Sequence, residues 1–141
     1  MVTRRTMVRL IVGALCVLLL VAGITIYAAE SGEVVLLRTQ GAGGQWRETR
    51  VWIIQSEGEL WIEAATPHRP FMADLDADLK VEIARGDTAT PYWALVVHRD
   101  IAHEFIREEI RARYGWADWW IGLLFDNSRS VAIRLMPRDG V

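Results

Sequence analysis

The chain is poor in cysteine: Cys16 is the one cysteine among 141 residues. It stands inside an apolar stretch near the N-terminus, so the rest of the chain has no disulfide and gives no indication of its redox compartment. Cysteine pairs at metal-ligand spacing are missing too, which excludes a zinc site built from thiolates. No metal site is expected.

The sequence also lacks a surplus of positive charge, since 16 basic residues face 18 acidic ones. Proteins that bind nucleic acids neutralise phosphates with clustered Lys and Arg, so no nucleic acid is expected as a partner. The G-x-S-x-G and H-E-x-x-H patterns are absent, which argues against the corresponding hydrolases.

One long apolar run is present at residues 10–29 and contains no charged residue. As a helix it would be about 30 Å long, enough to cross the hydrocarbon core of a bilayer. Arg4, Arg5 and Arg9 precede the run, and basic residues tend to stay on the cytoplasmic side. The pattern predicts a single-pass membrane protein with an extracytoplasmic globular domain.

We therefore divide the chain into a basic tip with a transmembrane anchor at residues 1–29 and one domain at residues 30–141. A cleaved signal peptide is the alternative interpretation. Signal peptides need small residues at the cleavage site, and the sequence Ile-Tyr-Ala-Ala at residues 26–29 fits this requirement poorly. The retained anchor is the favoured interpretation.

The first part of the domain has the pattern of three antiparallel strands. Segments rich in β-branched and aromatic residues occupy 34–37, 50–54 and 60–64, and glycine-containing turns at 41–44 and 56–59 separate them. A loop with two prolines follows at residues 66–70.

Helices and strands alternate in the second part. The patterns predict a short helix at 71–75, strands at 79–83 and 92–97, helices at 100–114 and 116–125 with Gly115 between them, and a strand at 131–135. The expected fold is mainly β with α: a six-stranded antiparallel barrel with a helical insertion before the last strand, preceded by one transmembrane helix.

Arginines are the candidate binding residues of this domain. Arg47 and Arg50 lie near the start of the second strand and Arg69 lies in the loop after the third, so a meander would bring three guanidiniums near one another. Guanidiniums bind phosphate or carboxylate in a bidentate manner, although ordinary surface charge explains them equally well. Trp52 and Trp61 would give a planar ligand an aromatic wall, or would pack across the strands.

His68 is a weaker candidate in the proline-bracketed loop. Its imidazole would donate hydrogen bonds and titrate near neutral pH, whereas a lone histidine is more often structural.

Apolar residues recur at helical spacing in the second of the two helices: Trp116, Trp119, Trp120, Leu123 and Leu124. This is the ordinary amphipathic signature, so we expect them to bury into the barrel. The alternative is that they rest on the bilayer surface, where tryptophan is favoured.

Three short motifs together resemble a known family. Residues 39–47 read T-x-G-x-x-G-x-x-R, residues 71–81 read F-x-x-D-L-x-A-D-L-x-V, and residues 127–137 read N-S-R-S-V-A-I-R-L-M-P. They look like motifs of the deazaflavin-dependent nitroreductase family, and the resemblance covers nearly all of residues 33–137.

The resemblance implies the split β-barrel flavin-binding fold of the pyridoxamine-phosphate oxidase type, assembled as a homodimer. It further implies a deazaflavin coenzyme or FMN that passes hydride to a lipophilic quinone or nitro acceptor. The phosphate end of the cofactor would lie against Arg47, Arg50, Thr66 and Arg69.

The catalytic residue stays open. Tyr92, Tyr114 and His68 are candidate proton donors. The basic pair that the family carries in the first turn is replaced here by Ala42 and Gly43, which favours a second hypothesis. In this alternative the barrel is a non-catalytic, membrane-tethered module that has lost the cofactor and binds a ligand or another protein.

Overall fold

The structure is a computed structural model that describes residues 4–98 and 100–138. Its elements follow one another in this order: α1 Arg4–Glu30, β1 Val34–Gln40, β2 Trp46–Ser56, β3 Glu59–Ala64, α2 Pro70–Ala77, β4 Lys80–Arg85, β5 Thr88–Val97, α3 Asp100–Tyr114, α4 Trp116–Leu124 and β6 Val131–Pro137.

The strands form a closed barrel with the order β1-β2-β3-β6-β5-β4, and every pair of neighbours is antiparallel. The long strand β2 pairs with β1 through Val51 opposite Val35 and with β3 through Ile53 opposite Ile62. The helices α3 and α4 are inserted between β5 and β6. The expected fold class is confirmed, including the helical insertion before the last strand.

Alternating side chains fill the barrel with an apolar core. Leu37, Ile53, Ile62 and Ile133 point inward and are almost completely buried. Phe71 belongs to this core from the short helix α2, which therefore packs against the barrel interior. The alternation of strand side chains between the two faces explains why these positions could be predicted from the sequence.

A second apolar cluster lies on the outer wall, beneath α3. Ile106, Ile110 and Tyr114 of this helix pack on Ile54 and Ala132, whose side chains leave β2 and β6 on the outward face. These two strand positions are buried on the outer face because α3 covers it. The barrel thus has an inner layer and an outer helical layer.

The helix α1 contains 27 residues, so it is about 40 Å long. It is long and apolar enough to span a membrane. Its last turns contact the domain, where Ala28 is completely buried and the indole of Trp120 donates to the hydroxyl of Thr25 at 3.1 Å. The indole of Trp52 donates to the carbonyl of Ala29 at 3.1 Å, which joins the helix end to β2.

The expectation that α4 buries its apolar stripe in the barrel is wrong. The side chains of Trp116, Trp119 and Leu123 are 50%, 63% and 61% exposed. Only Ala117 and Asp118 of this helix are buried. The reason is its position, since α4 packs outside the barrel on α1 and α3, so only one of its sides meets the domain.

Candidate functional site

A cavity of about 290 Å³ opens on the outer wall of the barrel. Its lining comes from the end of α1, the start of β1, strands β2 and β3, the loop before α2, helices α3 and α4, and the segment after α4. Apolar lining includes Val51, Ile110, Ile121 and Phe125. Its volume lies near the lower end of typical small-molecule sites, which hold about 300–1,000 Å³.

The cavity contains a buried cluster of one arginine and two carboxylates. Arg107 of α3 donates two hydrogen bonds to Glu63 of β3, at 3.2 and 3.0 Å, and two to Asp118 of α4, at 2.6 and 2.7 Å. The three side chains are only 12%, 10% and 5% exposed. This Arg107 cluster ties α3 and α4 to the barrel wall.

The carboxylates of the Arg107 cluster stabilise the charged form of its arginine. Burial alone would lower the pKa of Arg107, but the hydrogen bonds to Asp118 and the charges of Glu63 and Asp118 outweigh it and raise this pKa above its usual value. The guanidinium is therefore permanently charged, and the cluster as a whole has an excess of one negative charge when both acids are ionised.

Three of the six predicted site residues line the cavity: Arg50, Trp52 and Arg69. Arg50 forms an exposed ion pair with Glu30, the last residue of α1. The guanidinium of Arg69 lies 5.9 Å from the ring centre of Phe71 and has no carboxylate partner among residues 4–98 and 100–138. Arg69 is thus available to an anionic ligand.

Trp52 faces the cavity from β2, with its ring stacked on that of Tyr114 at 4.3 Å between centres. The hydroxyl of Tyr114 lies 2.8 Å from the carbonyl of Ile53 and 3.1 Å from that of Glu33, and it donates to these two acceptors. Burial raises the pKa of Tyr114 above its ordinary value. This hydroxyl is committed to the backbone, which argues against the expected role of Tyr114 as a proton donor.

Arg47 lies apart from the other two arginines. It is three residues from Arg50 on β2, and alternation along the strand places the two on opposite faces of the barrel wall. Its Nε donates to the buried Asp74 of α2 at 2.8 Å, and the hydroxyl of Thr39 donates to the same carboxylate oxygen at 2.7 Å. Of the three guanidiniums that were expected to lie together, only those of Arg50 and Arg69 line the cavity.

The carboxylate of Asp74 is held ionised by these partners. Burial would raise the pKa of Asp74, but the hydrogen bonds from Thr39 and Arg47 and the charge of Arg47 lower it below its ordinary value. This Asp74 pair joins α2 to β1 and β2, which is a structural role.

Thr66 and His68 do not line the cavity. Thr66 accepts a backbone hydrogen bond from Arg69 at 3.3 Å, which forms the turn that leads into α2. His68 is exposed in the same turn. Their predicted contact with a cofactor is untested and stays a prediction.

Sequence reasoning missed the Arg107 cluster. One signal was present: Arg107 falls between Ile106 and Ile110 in α3, on the border of an apolar stripe, where a charged side chain needs a partner. Its acids, Glu63 and Asp118, lie 44 and 11 residues away. Without the packing of α3 and α4, nothing in the sequence connects the three.

The closed six-stranded antiparallel barrel with its helical insertion has the architecture of a split β-barrel, and solved structures of this fold support that class. One is a pyridoxamine 5'-phosphate oxidase-like protein of Listeria innocua, with a TM-score of 0.58 and 18% identity over 85% of this chain and 94% of the other. Another is the heme storage protein HutZ of Vibrio cholerae, with a TM-score of 0.56 and 15% identity over 81% and 87%.

A third is an F420-H2 dependent reductase, with a TM-score of 0.52 and 20% identity over 72% of this chain and 92% of the other. Neither a model of a protein family nor a curated protein sequence matches this chain. Similarity at these identities establishes a shared fold, and the fold expected from the resemblance to the deazaflavin-dependent nitroreductases is thereby confirmed. Function has to be argued from the site.

Proposed function

We propose that this protein is a membrane-anchored oxidoreductase that binds a deazaflavin coenzyme or FMN in the outer cavity of its barrel. One observation carries the proposal: Arg50, Trp52 and Arg69 line a single cavity in a fold that an F420-H2 dependent reductase shares. Two guanidiniums and an indole are the groups that an anionic, planar cofactor requires.

Two arginines of the cavity lining, Arg50 and Arg69, can bind the anionic group of such a ligand. Arg69 has no carboxylate partner among the described residues, whereas Arg50 is held by Glu30 in an exposed ion pair. Exposed pairs contribute only about 0–1 kcal/mol, so a phosphate or carboxylate of the ligand can replace Glu30. Arg107 is not available, because two buried carboxylates hold it.

When bound, such a cofactor supplies the hydride chemistry. The residues of the chain bind and orient it: Arg50 and Arg69 hold its anionic end and Trp52 lies beside its ring. We propose a lipophilic quinone or nitro compound as the acceptor, because a membrane anchor keeps the protein where such molecules concentrate. A homodimer is proposed on the resemblance alone.

We place α1 across the bilayer as an uncleaved anchor, with Arg4, Arg5 and Arg9 on the cytoplasmic side and the domain of residues 30–141 outside. A reporter fused to the C-terminus and the intact mass of the purified protein test these two statements separately. Cytoplasmic reporter activity would show that the domain lies on the cytoplasmic side. An intact mass without the first 29 residues would show that this segment is a cleaved signal peptide and not an anchor.

The second candidate is a non-catalytic module that binds a ligand without redox chemistry. It is favoured by the charge balance of the cavity, whose lining has three guanidiniums and three carboxylates and so has no net charge. A heme storage protein also has this fold, so the barrel suits ligands other than flavins.

A titration of the full chain in detergent micelles with FMN and with the deazaflavin coenzyme, followed by fluorescence, tests the proposal. Each charge-assisted contact is worth about 1.5–3 kcal/mol, so Arg50→Ala and Arg69→Ala should each weaken binding about tenfold to a hundredfold. Arg111→Ala is the matched control, since Arg111 is exposed on α3 and does not line the cavity.

Two results would decide against the proposal. If the wild-type protein binds neither cofactor at high micromolar concentration, the redox function fails and the binding module takes its place. If the wild-type protein binds but all three variants bind equally well, the cofactor lies elsewhere on the barrel and the assignment of Arg50 and Arg69 is wrong.

A further inference from the structure

The outward side of α4 is apolar and uncovered in the described chain. Trp116, Trp119 and Leu123 are spaced by three and four residues, so they form one stripe along the helix. Asp118 is the single ionisable residue of α4, and it is turned inward, where Arg107 binds it. The outward side therefore presents large apolar groups and no charge. Surfaces of this kind mark a site of interaction.

This stripe is continuous with the apolar surface of α1. The ring of Trp116 stacks on that of Tyr27 with 5.8 Å between centres, and the indole of Trp120 donates to the hydroxyl of Thr25 at 3.1 Å. The exposed side chains Ile26 and Tyr27 of α1 thus lead directly to the exposed stripe of α4. Whatever surrounds the end of α1 also surrounds α4.

The contacts with α1 fix the depth at which α4 would lie in a bilayer. Thr25 comes four residues before Ala29, where the apolar run ends, so the Trp120 indole lies about 6 Å inside that end. Helices in the membrane interface bury their apolar faces about 5–10 Å. Tyr27 and Trp116 are the residue types that concentrate at this depth.

We propose that α4 is an interfacial helix that lies in the bilayer surface where α1 leaves it, with Trp116, Trp119 and Leu123 in contact with lipid. This inference rests on the membrane anchoring proposed above. The opposite side of α4 lines the outer cavity through Asp118 and Ile121. The cavity is then held at the bilayer surface, within reach of a ligand dissolved in the lipid.

Spin labels on single cysteines of the full chain, reconstituted in phosphatidylcholine vesicles, measure this depth. Cys16 is the one native cysteine, so Cys16→Ser gives a background for Trp119→Cys and Leu123→Cys. Both positions are exposed, so these changes remove no core contact. Leu95→Cys is the control, because Leu95 is 42% exposed on β5, opposite β2 in the barrel order.

Collisions of each label with oxygen, which concentrates in lipid, and with a nickel chelate, which stays in water, give the result. We expect oxygen to dominate at positions 119 and 123 and the nickel chelate to dominate at position 95. A label on the native Cys16 reports whether α1 itself is inserted.

Each other result overturns the inference in a distinguishable way. If the label at Cys16 is in lipid but positions 119 and 123 are in water, the anchor stands and the interfacial helix does not. If positions 119 and 123 are shielded from both reagents, a second copy of the chain covers α4 instead of lipid. If Cys16 is in water, membrane anchoring and the interfacial helix fail together.

Discussion

Two arginines pair with buried carboxylates, and the two groups differ in how their charges balance. At the end of the barrel Arg47 contacts one carboxylate, that of Asp74, and the pair is neutral. On the outer wall Arg107 contacts two, those of Glu63 and Asp118, so the Arg107 cluster has an excess of one negative charge when both acids are ionised. The second cluster lines the outer cavity.

The Asp74 pair has the charges that a structural contact needs, whereas the Arg107 cluster has one carboxylate more. A neutral pair is sufficient to fasten α2 to the strands, whereas a second carboxylate beside one arginine adds a desolvation cost and a repulsion between the two acids. Arg69 lines the same cavity and has no acidic partner in the described chain. A ligand bound by Arg69 would therefore change the electrostatics of the Arg107 cluster and leave the Asp74 pair untouched.

The largest effect is expected from Arg107→Met. It leaves Glu63 and Asp118 buried without a cation and should reduce the free energy of unfolding by about 3–5 kcal/mol. Urea unfolding of the full chain in mild detergent, followed by tryptophan fluorescence, measures it. Arg111→Ala on the same helix should change stability by no more than about 0.5 kcal/mol.

Apolar replacement of the whole Arg107 cluster sharpens this test. A protein with Arg107→Met, Glu63→Leu and Asp118→Leu should recover most of the lost stability, because no buried charge is then unpaired. A cost below about 1 kcal/mol for Arg107→Met alone would contradict the burial of the two acids.

A smaller effect is expected from Asp74→Asn in the neutral pair. The amide keeps an acceptor for Thr39 but loses the charge-assisted bond from Arg47, so stability should fall by about 1.5–3 kcal/mol at pH 7. Arg47 remains half-exposed and can be hydrated, so the cost stays below that of Arg107→Met.

The pH dependence gives a second measurement on Asp74. Its folded pKa is below the ordinary value, so its contribution is complete above the unfolded pKa of about 3.9 and is lost as pH falls through the folded pKa. The difference between wild type and Asp74→Asn should therefore shrink as the pH falls below about 4. An unchanged difference across this range would mean that the charge of Asp74 contributes nothing.

The strands of the inner layer and the helices of the outer layer were predictable from the sequence, but the packing of those helices on the barrel was not. Alternation fixes which side chains of β1, β2 and β3 point inward, and glycines at the turns fix where the strands reverse, as Gly58 does with its φ of +82°. These are local signals. The six strands follow from them, and the helices predicted at residues 100–114 and 116–125 follow from the helical spacing of apolar residues.

Contacts across the outer layer depend on how helices pack on the barrel, which no local pattern encodes. The stripe of α4 has the periodicity of a core helix, yet Trp119 is exposed because α4 lies outside the barrel. In the candidate site, the alternation of side chains along β2 was sufficient to predict that Arg47 and Arg50, three residues apart, lie on opposite faces of the strand. The grouping of Arg50 with Arg69, in contrast, required the three-dimensional structure.

The smallest effect on stability is expected at the contact between the outer helical layer and the barrel, which we call the seam. Here Tyr114 of α3 donates to the backbone carbonyls of Glu33 and Ile53. Tyr114→Phe removes the hydroxyl and keeps the ring that stacks on Trp52, so only the hydrogen bonds are lost. A neutral hydrogen bond contributes about 0.5–1.5 kcal/mol, and stability should fall by that amount. Tyr27→Phe is the matched control, because the Tyr27 hydroxyl makes no hydrogen bond within the described residues. Equal urea midpoints for the two variants would show that the tyrosine ring, and not its hydroxyl, joins the outer layer to the barrel. If Tyr114→Phe instead costs more than Asp74→Asn, this seam is a stronger connection than the neutral ion pair of the inner layer.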